Sequence, residues 1–391
     1  MYEILKEKFS KQFGRKAEYI FSAPGRTELS GNHTDHQHGC VLAAAINREA
    51  LAAVAENGTM TVKLLSEGYP MCCVDLTDLT VHPEEEGKTT ALIRGVAAKF
   101  AQYGLRGFDA YVSSSVLSGS GLSSSAAFEV LVGTIFNHLL GAGFDAVKIA
   151  QIGQFAENVY FGKPCGLMDQ MASSVGNIIG IDFGDPNTPV VTPIPFDFSG
   201  CGYSLCIIDS GASHADLTDE YAAITEELKT VCGVFGKQYL RDIPEEVFFA
   251  QLADVRKVAG DRAALRAIHV YAENVRVAKQ TKALQENDFD TFLQYVSESG
   301  SSSWRLLQNV VPAGRKEAQE VALALALAEK LLKGRGACRV HGGGFAGTIQ
   351  AFVPEDMLTD FKNGIDAVLG EGSCHVMVIR KEGGILAEVC R

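Results

Sequence analysis

The sequence holds one tryptophan and 11 prolines in 391 residues, and its 35 Lys and Arg are outnumbered by 47 Asp and Glu. A net charge of −12 argues against general nucleic-acid binding or docking on an anionic membrane, while leaving room for a locally basic pocket. Long apolar runs are also missing. The most apolar helical stretch, residues 321–332, is too short to span a bilayer. The opening MYEILKEKFSKQFG has an amphipathic helix pattern without a signal-peptide apolar segment. Ten cysteines occur but no CxxC pair, and Cys72-Cys73 is adjacent and strand-like. Neither a zinc site nor a disulfide framework is therefore expected, and reduced thiols in a cytoplasmic protein are.

What is present is a globular composition, 47% hydrophobic and 21% charged. At this length two lobes are expected. Strands and helices are mixed without regular βαβ alternation, so the fold class is α+β. The proline-rich residues 185–195 read as the linker, which gives lobes of 1–195 and 196–391.

The most informative stretch is SSSVLSGSGLSSSAAFE, residues 113–129. It reads as the end of a strand (108–116), a glycine–serine turn, and a helix over 126–140. A helix N-terminus with free N–H groups, preceded by glycines and hydroxyls, suits a phosphate; an ordinary loop with a serine N-cap is the plainer alternative. Three other segments stand out. Residues 19–22 read as a short strand running into a polar loop, APGRTELSGNHTDHQHG, which holds Arg26, Asn32, His33, Asp35, His36 and His38. The spacing does not match a standard metal motif, and a hydroxyl-rich ligand fits it better. CGLMDQM places Asp169 among apolar residues after a glycine break, where an N-cap is the unremarkable explanation. RVHGGGFAG, residues 339–347, puts three glycines between two strands, either for close backbone approach or for a hairpin.

Taken together and in order, APGR with HTD at 23–35, GSGLSSSAAFE at 119–129, PCGLMDQ at 164–170 and GGGFAG at 342–347 resemble the motifs of the GHMP small-molecule kinases, and within them the galactokinases. The resemblance covers nearly the whole chain. It implies a two-lobed GHMP-kinase fold with the active site in the cleft between lobes, and transfer of the γ-phosphoryl group of ATP to the anomeric hydroxyl of galactose. It implies Asp169 and Arg26 as catalytic residues, and Asn32, His33, Asp35, Gly166 and Tyr221 as sugar contacts. Gly119, Ser120, Gly121, Leu122, Ser123, Ser124 and Ser125 would form the ATP-phosphate loop, with Ser125 and Glu157 on Mg²⁺. The implied partners are the small-molecule sugar and ATP, with no nucleic acid and no membrane, in a monomer or weak oligomer. Several positions depart from the family pattern: its glutamate before HTD is Asn32 here, its phosphate-loop proline is Leu117, the usual arginines just beyond Tyr221 are absent, and its ESH is Glu298-Ser299-Gly300. Asn32 raises the alternative of another galacto-configured acceptor, such as N-acetylgalactosamine, galacturonate or arabinose. A non-catalytic sugar and ATP sensor on the same fold is the alternative of a different class. An NAD-binding reading fails because GSGLSSS is not GxGxxG.

Overall fold

The structure is a computed structural model and describes residues 2–116, 122–213 and 217–390. Its first sheet is built on two long antiparallel strands, β1 (Tyr19–Ser30) and β2 (Cys40–Glu56). Their alternating side chains feed two cores: Phe21, Ala52 and Val54 point to one face, Ile20, Ala53 and Ala55 to the other. The sheet continues through β3 (Thr61–Ser66), β4 (Cys72–Asp75) and β5 (Phe108–Ser114), while β6 (Ile178–Asp182) pairs with the first half of β2 and with β7 (Val190–Ile194).

β1 does not stop at Ser22 as its sequence suggests. Register shifts between Pro24 and Arg26, and again between Glu28 and Ser30, let the strand run on to Ser30. Arg26 therefore stands on a strand, not in a loop. The proline-rich 185–195 segment is likewise not a simple linker. Its second half is β7, an edge strand, where a residue such as Pro193 is tolerated.

One face of this sheet is covered by α1 (Tyr2–Phe13), whose Leu5 and Phe9 meet Ile20 and Leu51. Elsewhere α2 (Thr89–Lys99), α3 (Ser124–Leu140), α4 (Ala146–Phe155) and α5 (Met168–Val175) pack against one another, with α3 and α5 directly on β1. The second sheet has the order β11 (Cys374–Met377), β8 (Tyr203–Asp209), β10 (Thr348–Pro354), β9 (Ala337–Val340). Its Leu205, Ile207 and Phe352 join the main core together with Phe289 and Phe292 of α10 (Phe289–Ser302). Its opposite face carries α11 (Glu320–Leu332) and α12 (Leu358–Leu369). Between β8 and β9 in sequence come α6 (Thr218–Val234), α7 (Glu245–Ala250), α8 (Leu252–Ala259) and the long α9 (Asp261–Gln285), with a core of their own. The last strand, β12 (Ile385–Val389), pairs antiparallel with β1 and so belongs to the first sheet, although its sequence position places it in the second lobe.

Candidate active site

Arg26 reaches the centre of the molecule because β1 bulges there. Gly25 lets the strand press against the glycine–serine turn: a Cβ would meet the Leu122 carbonyl oxygen at 3.0 Å and a Val116 methyl at 3.1 Å. The Arg26 backbone N–H donates to that same carbonyl at 3.2 Å. Its guanidinium then forms a two-point pair with Asp169, Nε to Oδ1 at 2.8 Å and Nη2 to Oδ2 at 2.9 Å. Asp169 sits in the first turn of α5, where the helix dipole favours an anion. The Ser123 hydroxyl, at the N-cap of α3, donates to Asp169 Oδ2. Burial alone would raise the Asp169 pKa, but the Arg26 charge and hydrogen bonds, with the Ser123 bond, outweigh it and hold the group below its ordinary value. Asp169 is thus an ionised carboxylate whose side chain still exposes 33% of its surface, whereas Arg26 behind it exposes 7%.

The phosphate-loop candidates fall into two groups. Gly119, Ser120 and Gly121 lie outside the described residues. Leu122 is buried and acts through its carbonyl, and Ser123 holds φ 56°, the left-handed region. Ser124 and Ser125 begin α3 half-buried, and their hydroxyls have no hydrogen bond among the described residues.

Glu157 lies two residues beyond α4, where the helix widens into a π-helical turn (Ala156–Phe161), a form often found at functional sites. Gln170, next to Asp169, donates from Nε2 to Glu157 Oε2 and to Glu129 Oε2, both at 2.9 Å. Lys163 Nζ stands 3.2 Å from Glu157 Oε1. Glu129 of α3 is fully buried, its Oε1 has no hydrogen-bond partner among the described residues, and burial followed by the nearby Glu157 charge drives its pKa well up. Glu129 and Gln170 are the last residues of the motifs at 119–129 and 164–170, and the motif reading assigns neither of them a role. The signal for Glu129 is a lone carboxylate on the apolar face of a helix.

Of the candidate sugar contacts, Asn32, His33 and Tyr221 meet the glycine turn that follows β9. His33 Nε2 lies 2.9 Å from the Gly343 carbonyl oxygen, which can only accept, so this nitrogen carries the hydrogen. Its Nδ1 therefore accepts from His36 Nε2 at 3.2 Å. The Tyr221 hydroxyl donates to Gly344 O at 2.8 Å, and the ring lies edge-on to Phe345. Asp35 abuts Gly166 so closely that a Cβ there would strike its Oδ2, and burial raises its pKa. Both line a cleft of about 530 Å³ that also reaches Tyr239 and His38, whose rings stack at 3.6 Å.

Asn32 is placed differently from its neighbours. It is fully buried, and its Nδ2 donates to Gly342 O at 2.5 Å and Glu28 Oε1 at 3.2 Å. Its Oδ1 accepts from Asn309 Nδ2 at 2.8 Å and from the Ser303 hydroxyl at 3.4 Å. Its side chain faces the seam beneath the loop, braced further by the buried Glu28–Arg339 ion pair, and not the cleft. Asn309 carries no motif that would mark it in the sequence, and Glu28 lies inside the stretch at 23–39 without a role assigned to it.

Residues 7–56 match the galactokinase galactose-binding signature, and residues 91–177 match the GHMP kinases N terminal domain. The fold agrees. A Lactococcus lactis galactokinase solved in complex with galactose aligns at TM-score 0.83 and 26% identity, over 98% of this chain and 99% of that one. A mevalonate kinase from Methanococcus jannaschii aligns at TM-score 0.63 and 13% identity, over 93% and 99%. A D-glycero-D-manno-heptose 1-phosphate kinase from Bacteroides thetaiotaomicron aligns at 0.62 and 16%, over 93% and 97%. The last two are likenesses of fold. With an arginine-held aspartate beside the serine that opens α3, the molecule has the fold of the GHMP kinases. Within that fold its galactose-binding signature and its overall structure resemble those of the galactokinases, a family of sugar kinases.

Proposed function

We propose that this protein transfers the γ-phosphoryl group of ATP to the anomeric hydroxyl of galactose, giving galactose 1-phosphate and ADP. The observation that carries the reading is the Arg26–Asp169–Ser123 constellation at the head of α3 and α5. The acceptor oxygen bonds to the γ-phosphorus as the bond to the β–γ bridging oxygen breaks. ADP leaves with that electron pair, and Asp169 takes the hydroxyl proton. Arg26 keeps Asp169 ionised and fixes its orientation, and its charge offsets that of the transferring group. The sugar rests between Asp35, Gly166, His33 and Tyr221. The free N–H groups and hydroxyls at the start of α3 hold the phosphates.

A divalent metal fits the residues present. Glu157 already has a cation against it, the Lys163 ammonium. Among the described residues no group of three or more His, Cys, Asp or Glu is placed to hold a metal alone. Few protein ligands plus nucleotide oxygens is the usual arrangement for Mg²⁺. Glu157 and Ser125 would hold it, and when bound it supplies neutralising charge to the phosphates.

A second acceptor reading rests on the cleft beside Asp35 and Gly166. Its volume of about 530 Å³ leaves space for a substituent on a galacto-configured sugar such as N-acetylgalactosamine. The test is Mg-ATP-dependent ADP release with purified protein and a sugar panel. Turnover of galactose supports the first reading. Turnover of another sugar without galactose replaces it with the second, and binding of sugar and ATP with no turnover of any sugar would leave a sensor.

A further inference from the structure

We propose that Lys163 is the resting counter-ion of the metal site: its ammonium occupies the cation position on Glu157 and leaves it when the divalent metal arrives. The proposal rests on the reading of Glu157 as a metal ligand. The argument starts from crowding. Glu129 and Glu157 share the two N–H bonds of one amide, Gln170 Nε2, at 2.9 Å each, and Asp169 is the next residue along the chain from that amide. Only 3% of the Glu157 side chain is exposed. A carboxylate so enclosed needs a partner for its charge. Arg26, the other nearby cation described here, is committed to Asp169. Lys163 provides the charge: its Nζ stands 3.2 Å from Glu157 Oε1, and it also feels the charge of Asp169.

The form of the contact makes Lys163 removable. Its backbone is anchored, the Lys163 N–H donating to Glu157 O at 3.1 Å, between Gly162 at φ 82° and Pro164. The side chain beyond is 63% exposed. An ammonium on a flexible four-carbon stem is a point charge that water accepts readily, unlike a guanidinium fork fixed by two bonds. A divalent ion on Glu157 cannot share Oε1 with the ammonium without like-charge repulsion, so the lysine must swing toward solvent and the phosphates. Lys163 is thus a positioning residue. It holds Glu157 in its orientation in the empty enzyme, and it competes with the metal for the same oxygen.

The test measures metal binding, not turnover: Mn²⁺ titrated into the full chain with a non-hydrolysable ATP analogue and read by electron paramagnetic resonance. Lys163→Met should lower the half-saturating Mn²⁺ concentration about threefold, the scale of one partly exposed ion pair, and Lys163→Arg should stay within error of wild type or bind more weakly. An unchanged or raised half-saturation in Lys163→Met overturns the proposal. Glu157→Gln in the same assay separates the two layers. If it binds Mn²⁺ like wild type, the metal reading of Glu157 falls. If it loses Mn²⁺ while Lys163→Met does not tighten it, only the counter-ion role falls.

Discussion

Arg26 and Asp169 are 143 positions apart in the chain and meet through two parallel hydrogen bonds. An arginine fork fixes a carboxylate in orientation as well as in charge, which a lysine could not do. Asp169→Asn keeps the shape and removes the proposed proton acceptor. Turnover should drop by about 10²–10⁴-fold, while calorimetry should still find the acceptor bound. Asn32 leads to a prediction of the opposite kind. Restoring the family's glutamate there would set a second carboxylate against Glu28, 3.2 Å from the present amide, in a fully buried seam. Asn32→Glu should cost roughly 3–5 kcal/mol in denaturant unfolding. Near-wild-type stability with an altered sugar preference would instead put residue 32 at the substrate. The same seam sets an acid limit. Burial alone would raise the pKa of Glu273, but His269, Arg276 and Arg339, with the Ser299 hydroxyl, bring it down to about 2 from 4.5. His269 is itself neutral above about 4, so at neutral pH the two arginines are the cations acting on it. The folded value lies below the unfolded one, so this stabilisation is present above about pH 4.5 and is lost as the pH falls toward 2. Glu273→Gln should flatten that part of the stability–pH curve.

Among the elements, α3 and the strand before it were readable because apolar spacing and the glycine–serine break coincide. The departures have specific causes. β1 absorbs Pro24 and Gly25 with bulges, and a pattern of apolar alternation does not register a bulge. β7 hides behind Pro193, which an edge strand accepts and a central one does not. The motifs were readable because each is local. The brace beneath the loop was not, because Asn32 meets Ser303 and Asn309, 271 and 277 positions away, which carry no local pattern. The junction of the sugar loop and the α5 approach gives a direct test. Gly166→Ala places a methyl group against Asp35 Oδ2 at an exposed position. The acceptor KM should rise about tenfold or more, with the thermal midpoint little changed, since a displacement of the order of 1 Å costs about 10²-fold in well-oriented sites.

At the scale of the whole molecule, the two sheets share one core, because Leu205, Ile207 and Phe352 of the second sheet pack with Phe21 and Val54 of the first. The chain also closes on itself when β12 pairs with β1, the strand that bears Arg26. Removing residues 385–391 would unpair the outer edge of β1, so the truncated chain should lose solubility and stability before it loses any single active-site contact. The central claim is phosphoryl transfer to the anomeric oxygen of a galacto-configured sugar, organised by Asp169. It is tested most directly by phosphorus and proton magnetic resonance of the product formed from galactose, Mg²⁺ and ATP by the purified protein. The account predicts a single sugar phosphate with phosphorus coupled to the C1 proton, formed with one ADP and absent with Asp169→Asn. A phosphate on any other carbon, or the same product at the same rate from Asp169→Asn, would contradict it.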